Sequence, residues 1–219
     1  MNTVIFDLDG TICDPAEGVT RSINYALAEL GYNTYPEKEL QRYIGPHLSI
    51  TFSELTGVED EAALSRAIEL FRERYIPIGH KENRLYDGIV DVLTTLVADG
   101  ALLCIATTKR KDIASKVLEF LKVDQYFTQV HGCDLHRSKS DLLRDILSDS
   151  ALGNRPIVMI GDRDTDFIAA SEVNMPSIAV QWGYGKEEEF AIATDTVDRP
   201  EELLKAIMKN VQQVYAPES

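Results

Sequence analysis

From about Leu85 onward, short apolar runs alternate with amphipathic stretches, and this alternation leaves few folds open. The runs "ALLCIATT" (101–108), "YFTQVHG" (126–132), "RPIVMIGD" (155–162) and "PSIAVQWG" (176–183) are too short for buried helices and read as strands. Between and before them, 89–99, 112–121, 140–147 and 164–172 carry apolar residues at helical spacing. Strands that alternate with helices connect by right-handed crossovers, which builds a parallel sheet covered on both faces. The run "VIFD" (4–7) has no strand partner nearby, so it belongs to that same sheet.

Residues 14–83 have a different texture, with helical signals and no convincing strand. Asp14, Pro15 and Glu17 read as an N-cap, a first-turn proline and a capping-box acid, followed by Val19, Ile23, Leu27 and Leu30 until Gly31. Pro36 opens a short helix with Leu40, Tyr43 and Ile44, broken at Gly45 and Pro46. Leu48, Phe52 and Leu55 form a third, ended by Gly57. Leu64, Ile68, Phe71 and Tyr75 form a fourth, ended by Pro77 and Gly79. The expected organisation is an α/β core of residues 1–13 and 84–219, interrupted by a small helical bundle at 14–83. The tail "YAPES" is expected to fray.

Charge narrows the function classes. A formal net charge of −14 argues against nucleic-acid polymers and anionic membranes as partners, because both demand a basic surface. No stretch of about 18 apolar residues is present to span a bilayer. Cys13, Cys104 and Cys133 are odd in number and far apart, as expected of reduced thiols in a cytoplasmic protein.

The strand ends carry the chemistry. "VIFD" runs into Asp7, Leu8 and Asp9, and strand alternation sends the two acids to one side, where they need a proton or a cation between them. Ligands of open α/β sheets bind beyond the carboxyl ends of the strands. There the chain places Asp7 and Asp9, then Thr107 and Thr108, then Asp162 and Asp166 in "GDRDTD", with Lys139 opening a helix. Acid oxygens suit Mg²⁺, and hydroxyl and ammonium groups suit phosphoryl oxygens. Each element has a plainer reading: Asp-Gly is a common turn, acids favour helix N-termini, and a lone lysine is usually solvated. Four such elements in order along strand ends outweigh those readings. Lys109 follows Thr107 so directly that Lys139 is the better placed of the two lysines.

"DLDGT" (7–11), "IATTK" (105–109), Lys139 and "GDRDTD" (161–166) together resemble the four motifs of the haloacid dehalogenase superfamily of phosphohydrolases. Within it, "RYIGPHLSITF" (42–52), "LYDGIVDVL" (85–93) and "WGYGKEEEF" (182–190) are similar to the phosphoglycolate-phosphatase-like branch, especially bacterial proteins described as 5'-nucleotidases. The resemblance implies a Rossmann-like core with 14–83 as its cap. It implies a Mg²⁺-dependent phosphomonoesterase acting on a small phosphorylated metabolite, either a nucleoside 5'-monophosphate or a phospho-acid such as phosphoglycolate, through an aspartyl-phosphate. A monomer or weak homodimer is expected. Asp7 would be the nucleophile and Asp9 the acid and base. Mg²⁺ would be held by Asp7, Asp162 and the Asp9 carbonyl, with Asp166 ligating or supporting it. Thr107, Thr108 and Lys139 would bind the phosphoryl group, and Arg42, Gly45 and His47 the leaving group. This branch usually has a second proline where His47 stands.

A phosphosugar mutase shares these motifs, but no sugar-clamping pattern is recognisable. A signalling receiver also surrounds an accepting Asp with acids, Thr and Lys, yet has no cap and no use for a second acid two residues on. His47, His80, His131 and His136 lack ligand spacing, Cys13 reads as apolar packing, and Glu187–Glu189 reads as a solvated helix start. Trp182 and Tyr184 either frame the active-site mouth or close the sheet edge.

Overall fold

The computed structural model describes residues 2–133, 137–150, 152 and 155–215; His136 and the tail residues 216–219 lie outside them. Strand β1 (Thr3–Phe6) is followed by β2 (Cys13–Asp14), then α1 (Ala16–Glu29), α2 (Glu37–Leu40), α3 (Leu48–Thr56) and α4 (Glu61–Tyr75). The alternating part comprises β3 (Arg84–Leu85), α5 (Ile89–Ala98), β4 (Leu102–Thr107), α6 (Lys111–Leu121), β5 (Gln129–Gly132), α7 (Lys139–Ser148), β6 (Ile157–Gly161) and α8 (Asp164–Glu172). It closes with β7 (Ser177–Val180), α9 (Glu187–Phe190), β8 (Asp195–Val197) and α10 (Leu203–Tyr215).

Six strands form one parallel sheet in the order β5-β4-β1-β6-β7-β8. The chain therefore starts in the middle, winds outward through β4 and β5, then crosses β1 to build β6, β7 and β8. This reversal at β1 makes the switch point at which ligands of such sheets bind. Pleating sends Val4 and Phe6 to the face covered by α5, α6 and α10, and Ile5 to the face covered by α7 and α8. The α/β fold is the one expected, with Rossmann-like layering.

Two corrections concern the junction with the helical block. Helix α1 begins at Ala16 with Pro15 in the cap position; the Ala16 N–H donates to Asp14 Oδ1 at 2.8 Å, and Glu17 pairs with Arg21 (2.6 Å) and Arg84 (3.0 Å) instead of closing a capping box. Both connections between sheet and block run side by side as an antiparallel ribbon, Cys13 opposite Leu85 and Asp14 opposite Arg84. Two residues per strand are too few to leave a periodic signal. The block has its own apolar centre, in which Ile23, Leu27, Phe52, Ile68 and Phe71 pack together and Ile113 of α6 joins from the core. Among the described residues no helix is long and apolar enough to cross a membrane, and the three cysteines are buried and form no disulfide with one another.

Candidate active site

Three strand ends and two helix starts build the site. Asp7 directly follows β1 and still donates its N–H to Ile160 O at 2.8 Å, so its side chain leaves the sheet at a fixed height. Asp162 directly follows β6, and Asp166 lies in the first turn of α8, where its Oδ2 accepts the Arg163 N–H at 3.0 Å. Lys139 opens α7 immediately after Ser138, whose hydroxyl and N–H form a capping box with Asp141. These locally determined ends bring Asp7, Asp162 and Asp166 so close that one carboxylate oxygen from each lies within 4.8 Å of the others.

Burial makes this cluster electrostatically demanding. Asp7 is 4% exposed, and Asp162 and Asp166 are fully enclosed. Burial, then Asp166 and Asp7, raise Asp162 well above the ordinary carboxylate range. Burial also pushes Asp166 up to about 6 against the pull of Lys139. Lys139 Nζ lies 2.9 Å from Asp7 Oδ1 and pairs with Asp166 Oδ1. Burial opposes its charge, but Asp166 and Asp7 outweigh that and raise its pKa. Removing one member of such a buried ionic group strands the remaining charge, typically at about 3–5 kcal/mol.

Asp9 has its own lysine: Lys109, expected to be the less well placed of the two lysines, reaches the acids as Lys139 does. The chain bends after Thr107, and Lys109 Nζ folds back over the Tyr75 ring at 4.6 Å to lie 2.7 Å from Asp9 Oδ2 and 3.1 Å from the Tyr75 hydroxyl. Burial nevertheless raises the Asp9 pKa above its ordinary value, against the pull of Lys109. Asp9 Oδ1 is buried and has no hydrogen-bond partner among the described residues.

Four acids thus share two lysines, Lys109 and Lys139, leaving two negative charges uncompensated when all are ionised. An all-oxygen donor set with that surplus fits a hard divalent cation. The surroundings are shaped closely around the acids. Gly10 has φ +86°, and a Cβ there would overlap the Asp162 carboxylate. Asp162 Oδ2 accepts the Tyr184 N–H at 2.7 Å, the Tyr184 hydroxyl bonds Asp14, and Trp182 Nε1 donates to Thr11 O at 3.1 Å. Trp182 and Tyr184 therefore back the acid cluster and join it to the start of the helical block.

Of the other expected contacts, the Thr107 hydroxyl accepts the Lys109 N–H at 3.2 Å, which leaves its own proton available to an anion. Thr108 turns the other way: its hydroxyl donates to Gly45 O at 2.9 Å, tying sheet to block where a phosphoryl contact was expected. Gly45 and His47 line the cavity between sheet and block together with Asp9, Tyr75 and Lys109. Arg42 does not line it. Its guanidinium donates to the Tyr43 hydroxyl at 2.8 Å and faces a separate depression with Tyr35 and Lys38. Glu189 also departs from expectation, since it is well covered and accepts from Arg163 Nε and the Asp164 N–H, both at 3.0 Å. Tyr75 and Arg163 are absent from the sequence-based site; Tyr75 reads as one more apolar residue at helical spacing, and Arg163 is a basic residue inside an acidic motif with no local signal of its partner.

Known proteins resemble this chain in sequence and in fold. A family model described as haloacid dehalogenase-like hydrolase matches residues 4–180. The chain is 38% identical to a 5'-nucleotidase of Pseudomonas aeruginosa over 190 residues, 85% of this chain and 86% of that one. It is 33% identical to the tyrosine-protein kinase PtkA of Mycobacterium tuberculosis, over 89% of this chain and 67% of that one. A crystal structure of a predicted phosphatase from Clostridium acetobutylicum superposes with a TM-score of 0.88 at 34% identity, covering 95% of this chain and 98% of that one. With its sheet order, the family model, the 5'-nucleotidase and the phosphatase structure in agreement, the chain belongs to the haloacid dehalogenase-like hydrolases, as a phosphatase of that family.

Proposed function

We propose that this phosphatase is a Mg²⁺-dependent phosphomonoesterase that cleaves a nucleoside 5'-monophosphate through an aspartyl-phosphate on Asp7, with residues 14–83 as a cap over a core of 1–13 and 84–219. The observation that carries the reading is the convergence of Asp7, Asp9, Thr107, Lys139, Asp162 and Asp166 on one rim, although they span some 160 positions of sequence. Asp7, Asp162, Asp166 and the Asp9 carbonyl would hold the cation. What magnesium supplies when bound is charge neutralisation at the phosphoryl oxygens.

The remaining work falls to the chain. A carboxylate oxygen of Asp7 attacks phosphorus and the ester oxygen departs, so one difficult displacement becomes two easier ones. Lys139, anchored by Asp166, orients Asp7 and offsets charge between it and the incoming phosphoryl group. Thr107 offers its free O–H proton to a phosphoryl oxygen. Asp9 gives its proton to the leaving oxygen and then takes one from the water that hydrolyses the intermediate. The raised pKa of Asp9 favours the protonated form that the first step needs.

Support for a nucleoside comes from the cavity wall, where Val19, Ile68, Phe71 and Tyr75 offer an apolar, partly aromatic surface to the leaving group. A small phospho-acid such as phosphoglycolate is the second reading, favoured by His47, Arg72 and Lys109 on the same wall. Initial rates of phosphate release should separate them, measured with Mg²⁺ over nucleoside 5'-monophosphates, phosphoglycolate and sugar phosphates. The expected result is highest kcat/KM on a nucleotide, abolished by chelation and restored by Mg²⁺. Full activity in excess chelator would overturn the metal assignment, and return of labelled phosphate to a sugar would indicate a mutase.

A further inference from the structure

Arg163 stands inside the acidic turn, one residue after Asp162 and three before Asp166, yet its guanidinium leaves the acids and crosses to the helical block. Nη1 donates to Ile44 O at 2.7 Å. At its other edge Nε donates to Glu189 Oε2 at 3.0 Å, and the same oxygen accepts the Asp164 N–H, so the guanidinium is held in orientation from below. Both partners of the ion pair are largely covered, at 16% and 14% side-chain exposure. The next carbonyl along the block, Gly45 O, is held by the Thr108 hydroxyl.

Two consecutive carbonyls of the block are thus fixed by core residues that directly follow the site residues Thr107 and Asp162. The contact is also shaped for a small residue. Gly45 has φ +103°, and a Cβ there would stand 3.2 Å from Arg163 Cγ. The turn continues into Pro46 and His47, which line the cavity with Asp9. Wherever Arg163 holds Ile44, His47 is carried with it.

We propose that Arg163 is a specificity-determining positioning residue. It docks the Gly45–His47 turn onto the catalytic rim, so that the leaving group of the ester, and not its phosphoryl group, meets the block in a fixed place. This rests on the phosphatase reading above. An ester whose leaving group needs the cap depends on the tie, whereas a small activated aryl ester depends mainly on the rim.

The test compares wild type, Arg163→Ala, Arg163→Lys and Glu189→Gln on adenosine 5'-monophosphate and p-nitrophenyl phosphate, with the half-saturating Mg²⁺ concentration measured for each. Loss of a charge-assisted hydrogen bond to a buried carbonyl should raise KM for the nucleotide about tenfold or more in Arg163→Ala. KM for the aryl ester should stay within about twofold, because the rim is untouched. Arg163→Lys should restore only part of the loss, since an ammonium lacks the planar fork that reaches Glu189 and Ile44 together. Glu189→Gln should fall in the same direction with a smaller effect.

Equal losses on both esters, or a shifted Mg²⁺ requirement, would show that Arg163 merely braces the acidic turn and would overturn the proposal. Hydrogen–deuterium exchange over residues 42–48 provides a readout independent of turnover. It should quicken in Arg163→Ala while β1 and β6 stay protected, and unchanged exchange would refute the tie. If wild type hydrolyses neither ester, the phosphatase reading fails separately, and exchange still decides whether Arg163 holds the turn.

Discussion

The catalytic rim and the helical block meet across one cavity but are buried by opposite chemistry. At the rim, Lys139 pairs with Asp7 and Asp166, Asp162 lies beside those two acids, and Lys109 pairs with Asp9. In the block, Phe71 stacks on Tyr75 at 5.2 Å and meets Phe52 edge-on, within a cluster of aliphatic side chains. Buried charges tolerate almost no exchange, because every substitution leaves a partner uncompensated. Apolar packing tolerates exchange of similar volumes. The two regions are joined by the β2–β3 ribbon and by side-chain ties that include Arg163 to Ile44, Thr108 to Gly45 and Lys109 to Tyr75.

The sharpest test of that division is Asp7→Asn. Without the attacking oxygen no phosphoenzyme forms, so phosphate release should fall to background with every ester, aryl esters included. Measurable turnover in this variant would remove Asp7 from the nucleophile's role. Asp9→Asn should behave differently, losing about 10² to 10⁴ on an alkyl ester through missing proton transfer. With an aryl phosphate the first step should survive and the second stall. The signature is a burst of about one phenol per enzyme, with labelled phosphate trapped on the protein. Absence of both burst and label would show these two roles to be misassigned.

A block substitution should cost stability before chemistry. Phe71→Ala empties a site among packed rings and should lower unfolding stability by about 3–5 kcal/mol, read from denaturant midpoints. Its kcat on p-nitrophenyl phosphate should remain far above that of Asp7→Asn. A comparable collapse of kcat would break the comparison between rim and block.

The smallest effect is a linkage between protons and metal. Unfolded, Asp162 and Asp166 lose their protons near pH 4, the ordinary carboxylate value being about 3.9. Folded, Asp166 holds its proton to about 6, and Asp162 is raised well above the ordinary range. Between the unfolded and folded values the folded chain carries more protons, so metal-free stability falls as pH rises through that window. A cation bound by the ionised acids should offset this loss. The gain in Tm from Mg²⁺ over chelator should therefore be larger at about pH 7.5 than at about pH 5, by thermal unfolding. An equal gain at both pH values would mean that the cation binds elsewhere.

Much of this architecture was legible along the chain. The runs at 101–108, 155–162 and 176–183 each contain a strand, because continuous apolar runs bounded by turn residues mark strands covered on both faces. The acids after β1 and β6 announced themselves as polar residues where a buried run stops. Less legible were β8, with one buried apolar residue in three, and the two-residue β2 and β3, which form only because the chain's two passages meet there.

By itself the sequence determined the parallel α/β core, the helical insertion and the identity of the strand-end acids, since alternation, helical spacing and capping are properties of neighbouring residues. Only the tertiary structure decided how those residues are shared. It assigned Lys139 to Asp7 and Lys109 to Asp9, turned Thr108 from phosphate to Gly45, drew Arg42 out of the cavity and brought Glu189 and Arg163 together to hold Ile44. The reason is physical: a long side chain's partner depends on where its backbone bends and which charges burial leaves uncompensated, and both are settled only when distant elements pack.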